Sequence, residues 1–209
     1  MTDSPDPPVP ETLLEEAGFD LAERRTETLY SVGSVRIEGV THRYEDDRSR
    51  DALREATDGD IDHPVRFFAV TRIRFQPGLP PGVSLSMFAS TLRSKARSSF
   101  ADQLEDRGLT AIERGSSQRL RLDTGRARVR NYSGRDPLDG DGRSLLLSFR
   151  LSVLTYRQTA LVVTAGFPAL PVAEQFELAD PPAVLTRDSE DYQSEFETLL
   201  GWVYDDLTA

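Results

Sequence analysis

The sequence predicts an α+β fold, an antiparallel or mixed β-sheet covered by helices in an α/β/α sandwich. Two observations carry this reading. In residues 145–167, LLLSFRLSVLTYRQTALVVTAGF, Leu145, Leu147, Phe149, Leu151 and Val153 alternate with Leu146, Ser148, Arg150 and Ser152. A helix could not bury that period-two pattern on one face, and a polar break at residues 155–158 before a second apolar run makes the stretch a β-hairpin. Elsewhere the period changes. Leu85, Phe88, Leu92, Ala96, Phe100 and Leu104 recur every three or four positions, as do Tyr192, Phe196, Leu199, Leu200 and Val203. Those are the stripes of helices that cover a sheet.

The remaining elements follow in order. Residues 1–10, rich in Pro and Asp, read as a disordered tail, which leaves 11–209 as a single α+β domain. Residues 11–17 form a short helix ended by Gly18, and two extended runs follow on either side of Gly33-Ser34. Residues 48–57 are briefly helical and strongly charged. Residues 65–75 form a strand with Val65, Phe67, Ala69, Ile73 and Phe75 on one face, and with Arg66, Arg72 and Arg74 on the other. The stiff PGLPPG at 77–82 cannot join a ladder. After the helix of 85–107 and its stop at Gly108 come three short strands, 109–112, 118–122 and 126–132. Residues 136–143 form a loop into the hairpin, and 168–186, with four prolines, cross the surface before the closing helix.

The segments LLEEAGFDLAER (13–24) and QLEDRGLTAIER (103–114) align without gaps and suggest a weak internal duplication, 11–107 and 108–209. Chance recurrence of a common helix–Gly–strand junction is the favoured explanation. The hairpin, the irregular stretch after it and the closing SEFETLLGWV together resemble PsbP-like α/β/α sandwich domains over residues 145–206. That resemblance implies a binding or assembly role more than catalysis.

The chain has 209 residues, no cysteine and a formal net charge of −10. A chain of this length buries roughly 70% of its unfolded surface and needs no disulfide staple. Without cysteine there are no thiolate metal sites and no thiol nucleophiles. The opening residues lack the pattern of a signal peptide, and no apolar run approaches a membrane span, so a cytoplasmic setting is expected. Lys95 is the sole lysine beside 24 arginines. Acid excess with almost no lysine resembles the uncharacterised acidic proteins of haloarchaea. A carboxylate-dense surface keeps a protein soluble where salt screens its self-repulsion.

The charge is unevenly spread. Residues 1–63 carry −10, residues 64–135 carry +9 and residues 136–209 carry −9. In the basic middle, Arg119 and Arg121 alternate with Leu120 and Leu122, and Arg126, Arg128 and Arg130 alternate with Ala127 and Val129. Pairing of these strands sets five guanidiniums on one sheet face, and Arg72, Arg74 and Arg150 are candidates to join them. Guanidinium forks suit carboxylate and phosphate, so this is a candidate surface for a protein partner or an anionic small ligand. The favoured competing expectation is that these arginines pair with the acidic outer segments. Nucleic acid is disfavoured, since phosphate binding falls steeply with salt.

Enzyme templates are missing. There is no GxSxG elbow, P-loop, GxGxxG or HExxH. Asp58-Gly59-Asp60-Ile61-Asp62 begins like a calcium loop but has Ala69 where a bidentate Glu belongs. It reads as an acidic turn, as does 139–142. His42 and His63 are the only histidines, and His63 reads as an ordinary loop residue. Thirty-five acids offer many carboxylate pairs for a carboxylate- or metal-dependent enzyme, and the sequence selects none. The reading that results is a non-catalytic binding domain with no cofactor.

Overall fold

Alternation of apolar residues on both faces makes the hairpin of residues 145–167 the centre of the sheet. In the computed structural model, which describes residues 6–32, 35–78, 85–138 and 142–209, it forms β6 (Ser144–Tyr156) and β7 (Thr159–Pro168). Thr155 and Tyr156, expected in the turn, extend the ladder opposite Ala160 and Thr159, so the turn narrows to Arg157-Gln158. Around the hairpin lie β1 (Phe19–Val32), β2 (Val35–Asp46), β3 (Phe67–Gln76), β4 (Thr110–Arg121) and β5 (Arg126–Pro137). The order is β1-β2-β3-β7-β6-β5-β4, with every pairing antiparallel. The α+β class is as the sequence predicts.

Among the described residues five α-helices cover the sheet: α1 (Glu11–Glu16), α2 (Asp47–Ala56), α3 (Ala89–Asp106), α4 (Val172–Gln175) and α5 (Ser189–Thr208). Strand alternation divides the core between the two faces. Val70, Val129, Leu161 and Val163 pack under Leu14 of α1 and under Phe196, Leu200 and Val203 of α5. Leu147, Phe149 and Leu151 point the other way, against Leu53 of α2, Phe100 and Leu104 of α3 and Val172 of α4. The N-terminal part of α3, with Leu85 before it, covers Ile37, Ile73 and Ala160. Each fully buried Leu or Phe here contributes roughly 1.5–3 kcal/mol of transfer free energy.

Local chemistry sets the helix ends. Asp46 caps α2 by accepting from the Ser49 backbone N–H at 3.1 Å, and Asp188 caps α5 by accepting from Glu190 and Asp191. Arg48 donates to the last carbonyls of α1, those of Glu15 and Glu16. The helices before β1 and β4 both stop at glycines with positive φ, Gly18 at +85° and Gly108 at +89°, so the echoed segments share one junction geometry. Residues 6–10 lie along the protein, with Pro7 and Pro10 buried and Asp6 reaching His42. Residues 1–5 and most of 77–82 fall outside the described residues, as do 139–141.

The sequence divided 109–122 into two short strands, whereas β4 runs continuously from Thr110 to Arg121 with register shifts between Thr110 and Glu113 and between Arg114 and Ser117. The intervening Glu113-Arg114-Gly115-Ser116 is polar throughout, so no apolar alternation marks it as strand. Its shifts are β-bulges on a sheet edge, where such irregularities blunt unwanted pairing.

Candidate functional site

In the β4–β5 ladder Arg119 pairs with Arg128, Arg121 with Arg126 and Ser117 with Arg130, so all five arginines point to one side. It is the side on which α3 lies, because Arg130 pairs with Leu151 of β6 and Leu151 packs under α3. The helix does not reach over the end of this hairpin. Arg119, Arg121, Arg126 and Arg128 are exposed, and Arg130 is half-buried with its Nη1 donating to the Gly115 carbonyl at 3.0 Å. Among the described residues none of the five has a carboxylate partner. The expected pairing with the acidic segments does not occur on this hairpin among the described residues: β1 forms the far edge of the sheet, α5 covers the opposite face, and Asp51, Asp60 and Asp62 pair with Arg54, Arg143 and Arg50 instead.

Two further arginines reach this surface without having been picked out in the sequence. Tyr132 lies beneath α3 and donates to the Arg97 carbonyl at 3.3 Å. Burial pushes its pKa up, against the pull of Arg114, Arg130 and Arg97 around it. Arg114 pairs with Tyr132 across the ladder, inside the stretch that carries no strand pattern.

Arg72, Arg74 and Arg150 do not join this face. Arg130, Leu151, Thr164 and Ala69 lie in register across four strands, and Arg72 and Arg74 are an odd number of positions from Ala69. They therefore point to the opposite side of the sheet. Arg74 stands opposite Glu38, and Arg72 donates to the Asp6 carbonyl. Arg150 lies over the Phe167 ring at 5.0 Å and donates to Gln193 of α5. Strand alternation placed all three correctly relative to their own neighbours; only the register across the sheet separates them from β4–β5.

A second feature lies beside the C-terminal end of α3. A cleft of about 180 Å³ has Phe67, Phe149, Leu104 and Leu147 as its floor, with Arg43, Arg107, His63 and Asp136 among its polar lining. His63 Nε2 meets Asp136 Oδ2 at 2.9 Å. The Arg43 guanidinium lies 3.9 Å over the Phe67 ring and donates to Glu45 at 3.0 Å. Burial, and then the neighbouring Arg107, bring the Arg43 pKa down to about 10. Among the described residues no Ser or Thr lines the cleft beside the histidine–aspartate pair. These residues escaped the sequence reading because His63 and Asp136 are 73 positions apart and join only through the sheet.

The most buried arginine among the described residues is structural. Arg66 is 4% exposed and bonds Asp46, Glu195 and the Ala17 carbonyl, lying 4.4 Å from the Phe19 ring. Burial alone lowers its pKa, but Asp46 and Glu195 outweigh that and hold it above the ordinary value. Arg66 thereby ties β3 and the α2 cap to α5. The Asp58–Asp62 turn also resolves into ion pairs, Asp60 with Arg143 and Asp62 with Arg50. Among the described residues no three His, Cys, Asp or Glu side chains converge as metal ligands. No helix there is long and apolar enough to cross a membrane.

The chain belongs to a family described as a domain of unknown function (DUF6517), which matches residues 6–203. No curated protein matches it. Among solved structures it is similar to the Ran-binding protein Mog1p of Saccharomyces cerevisiae, at 10% identity over 90% of this chain and 94% of that chain, with a TM-score of 0.35.

Proposed function

We propose that this member of the DUF6517 family is a non-catalytic binding domain whose β4–β5 arginine face takes an acidic protein partner. The observation that carries the reading is the set of five guanidiniums held on one face of an edge hairpin, without a carboxylate partner among the described residues. Each guanidinium is a rigid fork that matches a carboxylate in two parallel hydrogen bonds. Rows spaced by the strand repeat present such forks in a plane suited to an extended acidic segment.

The salt-rich cytoplasm of a haloarchaeon is the setting that suits an acidic chain with one lysine. Near molar salt the Debye length is about 3 Å, so only charges in contact still attract. Short bidentate pairs persist under that condition, whereas binding driven by counterion release from phosphates falls away. The aromatic residue beside these arginines, Tyr132, is buried beneath α3 and cannot stack on bases, which also favours protein over single-stranded nucleic acid.

Calorimetric titration with a poly-glutamate peptide, in parallel with oligo-dT, tests the reading across a range of KCl. Saturable binding of poly-glutamate that survives high salt, and is lost when Arg119, Arg121, Arg126 and Arg128 are together replaced by Gln, is expected. Unchanged affinity in that variant would overturn the proposal. Tighter binding of oligo-dT with steep salt dependence would replace it with nucleic-acid recognition.

A further inference from the structure

The cleft beside α3 is distinct from the arginine hairpin and has a different chemistry. Its lining is largely apolar and aromatic, and two of its cations, Arg43 and Arg107, lie close enough to repel each other. A cavity of about 150 Å³ with apolar walls holds a benzene molecule. At about 180 Å³ this cleft has room for a ring or branched chain with one small polar group.

The polar lining defines that group. Arg43 donates its Nε to Glu45 Oε1, with Nη2 ion-paired to the same oxygen, and its Nη1 has no hydrogen-bond partner among the described residues. Arg107 meets Glu23 only at 3.9 Å, with both side chains more than one-third exposed, a contact that solvent screens. Asp136 is engaged by His63, whose Nδ1 is left without a protein partner among the described residues. Arg43 thus lies in a partly desolvated position, where Arg107 repels it while Glu45 attracts it. A single negative charge between the two arginines offsets that repulsion. A dianion meets Glu45, Glu23 and Asp136 as well, which favours a monoanion.

We infer that this cleft is a binding site for a small monocarboxylate with an apolar body, the ring or chain resting on Phe67, Phe149 and Leu104 and the carboxylate held by Arg43 and Arg107. Gly166 is part of the construction. A Cβ there would run into the Phe67 ring and lie 2.9 Å from Phe149, so only glycine leaves both rings where they form the floor.

The test uses benzoate as probe, benzamide as its uncharged counterpart and inorganic phosphate as the bare anion, followed by amide chemical shifts of the full chain. Benzoate is expected to give saturable shifts at Phe67, Leu104 and Leu147, with benzamide and phosphate each about tenfold weaker or worse. Arg107→Gln, at an exposed position that the fold tolerates, is expected to weaken benzoate about tenfold and to leave benzamide unchanged. The quadruple Gln variant of the β4–β5 face retains full benzoate affinity, which separates this site from the proposed protein-binding surface. Equal affinity for benzoate and benzamide would overturn the inference, as would phosphate binding as tightly as benzoate. Absence of saturable shifts in millimolar benzoate would overturn it too.

Discussion

Arg119 and Arg128 stand directly opposite each other in the β4–β5 ladder, two like charges on one exposed face. Arg121 and Arg126 repeat the arrangement one step along, toward the turn. Like charges in directly opposed positions destabilise a sheet, while opposite charges contribute roughly 0.2–1 kcal/mol. The hairpin therefore holds its arginines at some expense to its own stability, which accords with the proposed partner-binding face.

Arg119→Glu turns that repulsion into attraction. The variant is expected to gain stability of about 0.2–1 kcal/mol, read as a raised urea midpoint with unchanged m-value. The same substitution is expected to weaken poly-glutamate binding. A variant that loses stability would show that the two side chains do not meet as the register places them.

Arg66 offers the opposite case, a cation completely enclosed by its partners. Its side chain is 3% exposed and that of Asp46 0%, and Glu195 is shared with Arg187 at 3.0 Å. Removing one member of such a pair strands a buried charge at a cost of about 3–5 kcal/mol. Arg66→Met should lose that much in urea denaturation. Glu195→Gln, partly exposed and still able to accept a hydrogen bond, should lose distinctly less. Equal losses in the two variants would mean that the Glu195 charge, rather than the Asp46 pair or the packing on Phe19 and Tyr192, carries the contribution of Arg66.

The contrast between these two arginines shows how far the sequence reads. Period-two alternation at 145–153 and 126–132, and the stripes of α3 and α5, are local patterns created by one buried face, and they are legible for that reason. The shared face of Arg119, Arg121, Arg126, Arg128 and Arg130 follows from the same alternation plus one hairpin turn. Whether those guanidiniums find carboxylates depends on where distant acidic segments pack, and alternation does not encode that. The separation of Arg72, Arg74 and Arg150 from them depends on register across several strands. The cleft is less legible still, since Arg43, His63, Arg107 and Asp136 come from four separate segments with no shared spacing.

His42 supplies the pH dependence. It is 4% exposed on β2, with Nε2 at 3.3 Å from Asp6 and Nδ1 unbonded among the described residues. Burial lowers its pKa below the ordinary 6.5; Asp6 pulls it up, Arg24 pushes it down again, and burial wins. The folded protein therefore holds this proton less tightly than the unfolded chain does. Above pH 6.5 both states are neutral there and the contribution is complete. As the pH falls below that value the unfolded chain takes up the proton first, so stability declines until the folded-state pKa is passed. His42→Gln should remove this component, so that the difference in unfolding free energy between wild type and variant changes with pH only below about 6.5. In a proton NMR titration the His42 ring should show a midpoint below 6.5, and Asp6→Asn should move it lower by removing the attraction of the carboxylate. A midpoint at or above 6.5 would mean that Asp6 outweighs burial, and the stability difference would then change with the opposite sign.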